Sequence, residues 1–311
     1  MSQTLLEPPF LPVSSGPRRR KRLPRGRAQD ISYAGSAASP LGRAVIRGIE
    51  NATGRTGLLR RAAGYEEELA LGRDFWRVML ERFGLRLDLL RGSFNNIPTQ
   101  GPLVVVANHP FGILDGLVLG HILSATRRGD FRIMAHQVFS RAQILASVIL
   151  PIDFGETRAA QATNLATRVE AVRYLRDGGA VGVFPGGTVA TAARPFGQPL
   201  DPVWRGFSAR MIRKSGATVV PIWFDGANSR LFQLSSHLSY TLRMALLVRE
   251  FGARVDRPVR LAIGQPIAPA DLPDAPATEV MDFLRRKTYE LSPIPLDPAA
   301  LGHEFEERYR R

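Results

Sequence analysis

The sequence predicts an α/β fold: a mainly parallel sheet flanked by helices on both faces, preceded by an amphipathic helix pair and a basic N-terminal arm. Three observations predict it. Apolar runs at 85–92, 102–107, 131–136, 180–184, 218–224 and 259–264 have the composition of strands, several of them apolar on both faces. Helical patterns fall between them, at about 113–126, 138–147, 158–177, 203–214, 230–251 and 278–291, which is the alternation of a parallel sheet with crossover helices. The third is the stretch 102–119, where PLVVVA stops abruptly at Asn108-His109-Pro110 and an apolar-periodic segment then carries Asp115. A buried strand that delivers a histidine to its carboxyl end, followed by a Gly turn and a helix, is where open α/β sheets place chemistry.

Each segment follows in order. Residues 1–30 read as a disordered arm, Pro-rich and then strongly basic, with Arg18, Arg19, Arg20, Lys21, Arg22, Arg25 and Arg27. Residues 31–84 read as an amphipathic helical segment. Leu41, Val45, Ile46 and Ile49 recur at helical spacing, breaks fall at Gly54 and Gly57, and a second helix runs from about 65 to 83 with Leu69, Trp76, Met79, Leu80 and Phe83 on one side. A Trp stripe at this spacing is core. The α/β domain occupies 85–295, and 296–311 is a C-terminal tail whose close, HEFEERYRR, reads as a solvated helix end.

Composition sets the outer limits. The 311-residue chain is 44% hydrophobic, enough for a sizeable core, and carries a formal charge of +14, which favours an anionic partner. No aromatic residue is interleaved with the basic run to stack on bases, so an anionic membrane surface is expected and nucleic acid is not. The absence of cysteine excludes disulfides, thiolate catalysis and Cys-based zinc sites, and the five histidines have no zinc-ligand spacing, so no metal is expected. No stretch approaches a spanning helix, and membrane contact is therefore expected to be peripheral.

The chemistry centres on His109 and Asp115. A neutral imidazole can take a proton from a hydroxyl, and a carboxylate on its other nitrogen fixes tautomer and orientation, worth about 10²–10⁴ in rate. A single such pair is more commonly a capped helix start. Three further strand ends change that weighing: PIDFGETRAA with Arg158 at the head of a helix, FPGGTVAT with Gly186 and Gly187 where backbone N–H groups can face an oxyanion, and VVPIWFDGANS.

With these blocks the chain resembles the glycerolipid acyltransferase superfamily, of lysophosphatidate acyltransferase type. NHPFGILDG looks like its Asn-His-(x)4-Asp block, PIDFGETR like its Ile-Asp-Arg block, FPGGT like its Phe-Pro-Glu-Gly-Thr block and VVPIWF like its final Val-Pro-Ile block. The resemblance covers about residues 85–270 and is closest to a bacterial branch of hemolysin-named, lysophospholipid and aminolipid O-acyltransferases. It implies transfer of an acyl chain from acyl carrier protein or coenzyme A to the hydroxyl of a lysolipid acceptor, with no further cofactor, at the cytoplasmic face of the inner membrane. It also implies His109 and Asp115 as the catalytic pair and Asn108, Arg158, Gly186, Gly187 and Thr188 as the oxyanion and substrate-binding set. Phe111 and Phe139 are candidate walls of the acyl groove.

Three departures from the family pattern stand out. Five residues, not four, separate His109 from Asp115, and the extra one fits if Pro110, Phe111 and Gly112 form a turn before the helix begins. Gly186 stands where the family has Glu, and Val189 where many members have an Arg that holds the acceptor's phosphate. These two departures remove the expected grip on a glycerol phosphate, so the acceptor expected is a lysolipid such as a lyso-aminolipid, for example lyso-ornithine lipid, with lysophosphatidate the less secure choice. The competing expectation is a non-catalytic membrane- or nucleic-acid-binding protein on a degenerate acyltransferase fold.

Overall fold

The computed structural model describes residues 32–305 apart from 38, 142, 143, 154, 156 and 298. The basic arm expected at 1–30, Phe154 and the last six residues of the tail lie outside the described residues. A seven-stranded sheet forms the centre, in the order β1 (Arg86–Arg91), β9 (Pro258–Ile263), β8 (Thr218–Phe224), β2 (Leu103–Ala107), β5 (Ala180–Val183), β3 (Arg132–His136) and β4 (Ile149–Ile152). From β8 to β4 all neighbours are parallel, while β9 runs antiparallel to β8 and carries β1 parallel to itself. Strand composition does not encode direction, so this reversed pair is not visible in the sequence.

Strand β2 is buried along its whole length, as an apolar run of Leu, three Val and Ala in the middle of a two-sided sheet requires. Its odd-numbered residues Leu103, Val105 and Ala107 point into one apolar core, and Val104 and Val106 into the other. The first core lies under α5 (Ile113–Thr126), α9 (Tyr240–Gly252) and the N-terminal helices. The second lies under α6 (Arg158–Arg176), α7 (Phe207–Ser215) and α10 (Ala277–Tyr289). Between β5 and α7 a small hairpin, β6 (Thr191–Ala192) with β7 (Pro199–Leu200), stands off the main sheet.

Several expectations are corrected. The N-terminal pair is four short helices: α1 (Pro40–Ala52), α2 (Arg55–Ala62), α3 (Tyr65–Ala70) and α4 (Phe75–Arg82). Gly57 lies inside α2, and the expected 65–83 helix breaks at Gly72, whose φ of 85° no helix accepts, before Asp74 caps α4 by accepting from the Arg77 N–H. These helices belong to the first core: Trp76 packs so closely on α5 that a Cβ on Gly120 would lie 2.2 Å from its ring. The helix expected at 138–147 is a 3₁₀ turn over Gln137–Arg141, followed after 143 by a non-helical turn into β4. Pro151 and the run of Val, Ile and Leu suit an edge strand better than a helix. The 230–251 segment divides at extended Ser239 into α8 (Arg230–Leu238) and α9. No helix among the described residues is long and apolar enough to cross a membrane.

The tail is not a solvated helix end over its described part. The Gly302 N–H donates to the Asp201 carbonyl and the His303 N–H to the Thr191 carbonyl, and Glu304 forms a two-point ion pair with Arg205 at 2.8 and 2.9 Å. The Phe305 ring lies against the Arg243 guanidinium.

Candidate active site

Strand β2 ends at Ala107, and the next two residues are fixed by opposite neighbours. The Asn108 side chain bridges to β8, accepting from the Phe224 N–H at 2.6 Å and donating to the Phe224 carbonyl at 2.9 Å. Its amide therefore completes the sheet and does not face a substrate, contrary to its place in the expected binding set. The His109 N–H donates to Asp201 Oδ1 at 3.1 Å, and its carbonyl accepts from the Ala190 N–H at 2.7 Å. Backbone bonds on both sides leave the imidazole as the group free to project.

That ring stacks on Phe184, centroids 4.1 Å apart and planes 22° from parallel, which sets its orientation. Its Nδ1 lies 2.9 Å from Asp115 Oδ2. The contact is close but not aligned as a straight hydrogen bond. The Asp115 carboxylate is fully buried, and Oδ2 also accepts the N–H groups of Phe111 at 2.8 Å and Gly112 at 3.0 Å. The His109 side chain keeps 17% of its surface exposed.

The turn 110–112 absorbs the extra residue as the sequence suggests. The helix begins at Ile113, and Gly112 carries φ 90° and ψ −112°. A Cβ there would lie 3.2 Å from Val189 Cγ2 and 3.3 Å from Leu247 Cδ2, so those side chains would have to give by a few tenths of an ångström, and the positive φ itself favours glycine.

The third block is arranged differently from expectation. The Gly187 N–H closes a turn on the Phe184 carbonyl at 3.0 Å and is not an oxyanion donor. Gly186 is buried, packed so that a Cβ would meet Asp201 and Pro202. Thr188 is half-buried, and its hydroxyl accepts a hydrogen bond at 2.9 Å from Arg243. Arg158 is exposed at the head of α6, beyond edge strand β4, three strands and roughly 14 Å from β2. The structure does not bring it to the pair.

The candidate groove walls are only partly brought together. Phe139 packs edge-on against Tyr33, centroids 6.0 Å apart. Phe111 is buried beneath the Arg254 guanidinium and lines a cavity of about 160 Å³ with Leu114, Asp225, Gly226 and Arg260. Drug-sized ligands occupy about 300–1,000 Å³, and this cavity carries charged side chains in its wall, so Phe111 does not wall a formed acyl slot here.

Two functional candidates escape sequence reasoning. Asp201 is buried, bonded to the His109 N–H and the Trp204 Nε1–H, and loss of hydration pushes its carboxyl above the usual carboxylate range. Arg243, on α9, is 2% exposed and gives its guanidinium N–H groups to Thr188, Val189, Thr191 and Ser236. Burial pulls it down to about 9, so it is cationic at neutral pH. No local signal marks either residue: one follows a short hairpin and the other sits in an amphipathic helix.

The chain is similar to known acyltransferases. Residues 92–225, from the end of β1 to just past β8, match the Acyltransferase family model. The chain is 26% identical over 203 residues to a lyso-glycine lipid O-acyltransferase of Phocaeicola vulgatus, covering 63% of this chain and 70% of that one. It is 24% identical over 208 residues to a lyso-glycine lipid O-acyltransferase of Bacteroides thetaiotaomicron, covering 65% and 73%. A crystal structure of the 1-acyl-sn-glycerophosphate acyltransferase PlsC from Thermotoga maritima is similar at 18% identity and a TM-score of 0.44, over 85% of this chain and 87% of that one. A His–Asp pair closes the central strand of the matched region, and the family match together with the two lysolipid O-acyltransferase relatives makes the chain an acyltransferase.

Proposed function

We propose that this protein moves an acyl chain from an acyl thioester, carried by acyl carrier protein or coenzyme A, to the hydroxyl of a lysolipid, with His109 as general base. The observation that carries this reading is the 2.9 Å approach of His109 Nδ1 to the buried Asp115 carboxylate at the carboxyl end of β2. With Nδ1 turned to Asp115, Nε2 is the ring nitrogen left for the substrate. The acceptor oxygen attacks the thioester carbonyl carbon, its proton passes to Nε2, and the carbonyl electrons move onto oxygen. Asp115 stabilises the imidazolium. The oxyanion then collapses, the C–S bond breaks, and the thiolate recovers the proton, leaving ester and thiol. A thiolate leaves readily because its conjugate acid has a pKa of about 8.5, far below that of an alcohol. This chemistry needs no metal or organic cofactor beyond the thioester.

The acceptor is a lyso-aminolipid in this reading. Two curated relatives carry the name lyso-glycine lipid O-acyltransferase, and Gly186 and Val189 remove the polar groups the superfamily uses at those positions. The protein works peripherally at the cytoplasmic face of the inner membrane, where its +14 charge favours anionic lipid. Thiol release from acyl-acyl carrier protein and acyl-coenzyme A, measured against lyso-glycine, lyso-ornithine and lysophosphatidate acceptors, tests both parts. Turnover confined to lysophosphatidate overturns the aminolipid assignment, and turnover with none of them overturns the acceptor class.

A further inference from the structure

The third block has lost two polar side chains, yet the turn it forms is not without charge. Arg243 reaches it from α9, 54 residues beyond Val189 in the chain. One terminal nitrogen donates to Thr188 Oγ1 at 2.9 Å and the Val189 carbonyl at 2.6 Å, the other to Thr191 Oγ1 at 2.6 Å and Ser236 Oγ at 2.9 Å. The guanidinium lies over the rings of Phe232 and Phe305, at 4.9 and 4.3 Å. Its hydrogen-bond partners among the described residues are hydroxyls and a carbonyl, not a carboxylate.

A buried cation held only by neutral groups is costly, and a fold that needed merely to pin a turn could use an apolar side chain there. Two features give the charge a use. The same turn supplies the Ala190 N–H that holds the His109 carbonyl, so Arg243 and His109 are tied through three consecutive residues. And Thr188, accepting from a cation, has its own hydroxyl proton left to donate outward, a bond that the cation strengthens by polarising it. With the Gly187 N–H committed to Phe184, that hydroxyl is a donor the turn still offers to developing negative charge.

We propose that Arg243 is a positioning residue for acyl transfer: through Thr188 it orients and polarises a donor for the oxyanion, restoring from α9 the positive charge that the turn's own sequence lacks. This rests on the reading of His109 as the base. Arg243 does not itself touch the acceptor, because its terminal N–H groups are already engaged.

The test is a double-substitution cycle on the full chain. Arg243→Met and Thr188→Val are each expected to lower kcat by about 10²-fold with acceptor KM moving less than about threefold, and the double variant to be no slower than the worse single one. Arg243→Lys, which keeps the charge, should recover part of the rate. Amide exchange at Ala190, which needs no substrate, should quicken in Arg243→Met and not in Thr188→Val. Where Arg243→Met does not fold, Thr188→Val and Arg243→Lys still decide. A full kcat in Thr188→Val, losses that multiply in the double variant, or a Lys variant no better than Met overturns the proposal while His109→Ala remains inactive. Activity surviving His109→Ala overturns the base reading instead.

Discussion

His109 and Asp115 meet at 2.9 Å although the spacer between them is one residue longer than in the family pattern. The meeting is enforced from the carboxylate side. Asp115 Oδ2 accepts two consecutive backbone N–H groups, those of Phe111 and Gly112, so the carboxylate is fastened to the very turn that takes up the added residue. The aspartate is at once a partner for the imidazole and the clasp of the loop between them.

The clasp depends on Gly112. Gly112→Ala places a side chain at φ 90° against Val189 and Leu247, and should cost about 1–3 kcal/mol of stability and lower the turnover rate. Thermal melts and initial rates on the same preparation check it. An unchanged melting temperature would show that the turn is less constrained than its geometry implies.

Asn108 makes a prediction about the sheet. Removing its amide by Asn108→Ala leaves both the N–H and the carbonyl of Phe224 without their partners in a buried site, about 1–3 kcal/mol for each. Denaturant unfolding should show a loss of that size. Asn108→Asp should be at least as damaging, because a buried carboxylate would then face the Phe224 carbonyl with no proton to give it. A loss below about 0.5 kcal/mol for the alanine variant contradicts the bridging role.

Asp201 predicts a pH dependence. Burial raises its carboxyl above the unfolded value of about 3.9, so the folded chain holds this proton more tightly than the unfolded one. Its contribution to stability is full below about pH 3.9 and is lost as pH rises through the higher folded value. The difference in unfolding free energy between the parent and Asp201→Asn should therefore decline from about pH 4 upward and then level off. A difference that grows with pH in that window would contradict the sign.

The basic arm lies outside the described residues, but its role is testable by partition. Deleting residues 1–30 removes a cluster of basic residues from a chain of charge +14. Binding to anionic vesicles at about 0.1 M salt should weaken and become less salt-sensitive, since each basic residue near such a surface contributes about 1 kcal/mol. Equal partitioning of both forms rules out the arm as a lipid anchor.

The parts of this architecture legible in the sequence are those written locally. The run LVVVA suits a strand covered on both faces, and where it stops it places His109 at the carboxyl edge of a sheet. The Pro110-Phe111-Gly112 turn is readable from the chemistry of those residues. What stays hidden depends on partners distant in the chain. Asn108 reads as a binding residue because its bridge to Phe224, 116 positions away, leaves no local trace. Gly187 reads as an oxyanion donor because a glycine pair does not reveal which N–H is already used. Arg243 reads as one more cation on an amphipathic helix, and only the fold carries it to Thr188. Strand Ile149–Ile152 escapes the pattern altogether because so short an apolar run has no period of its own.

The most direct measurement is the rate of thiol release from an acyl thioester with a lysolipid acceptor for the parent, His109→Ala and Asp115→Asn, each shown to be folded by its melting curve. The account expects His109→Ala to fall by about 10²–10⁴ and Asp115→Asn to fall within the same range, with acceptor KM nearly unchanged. A His109→Ala protein that turns over at the parent rate would contradict it.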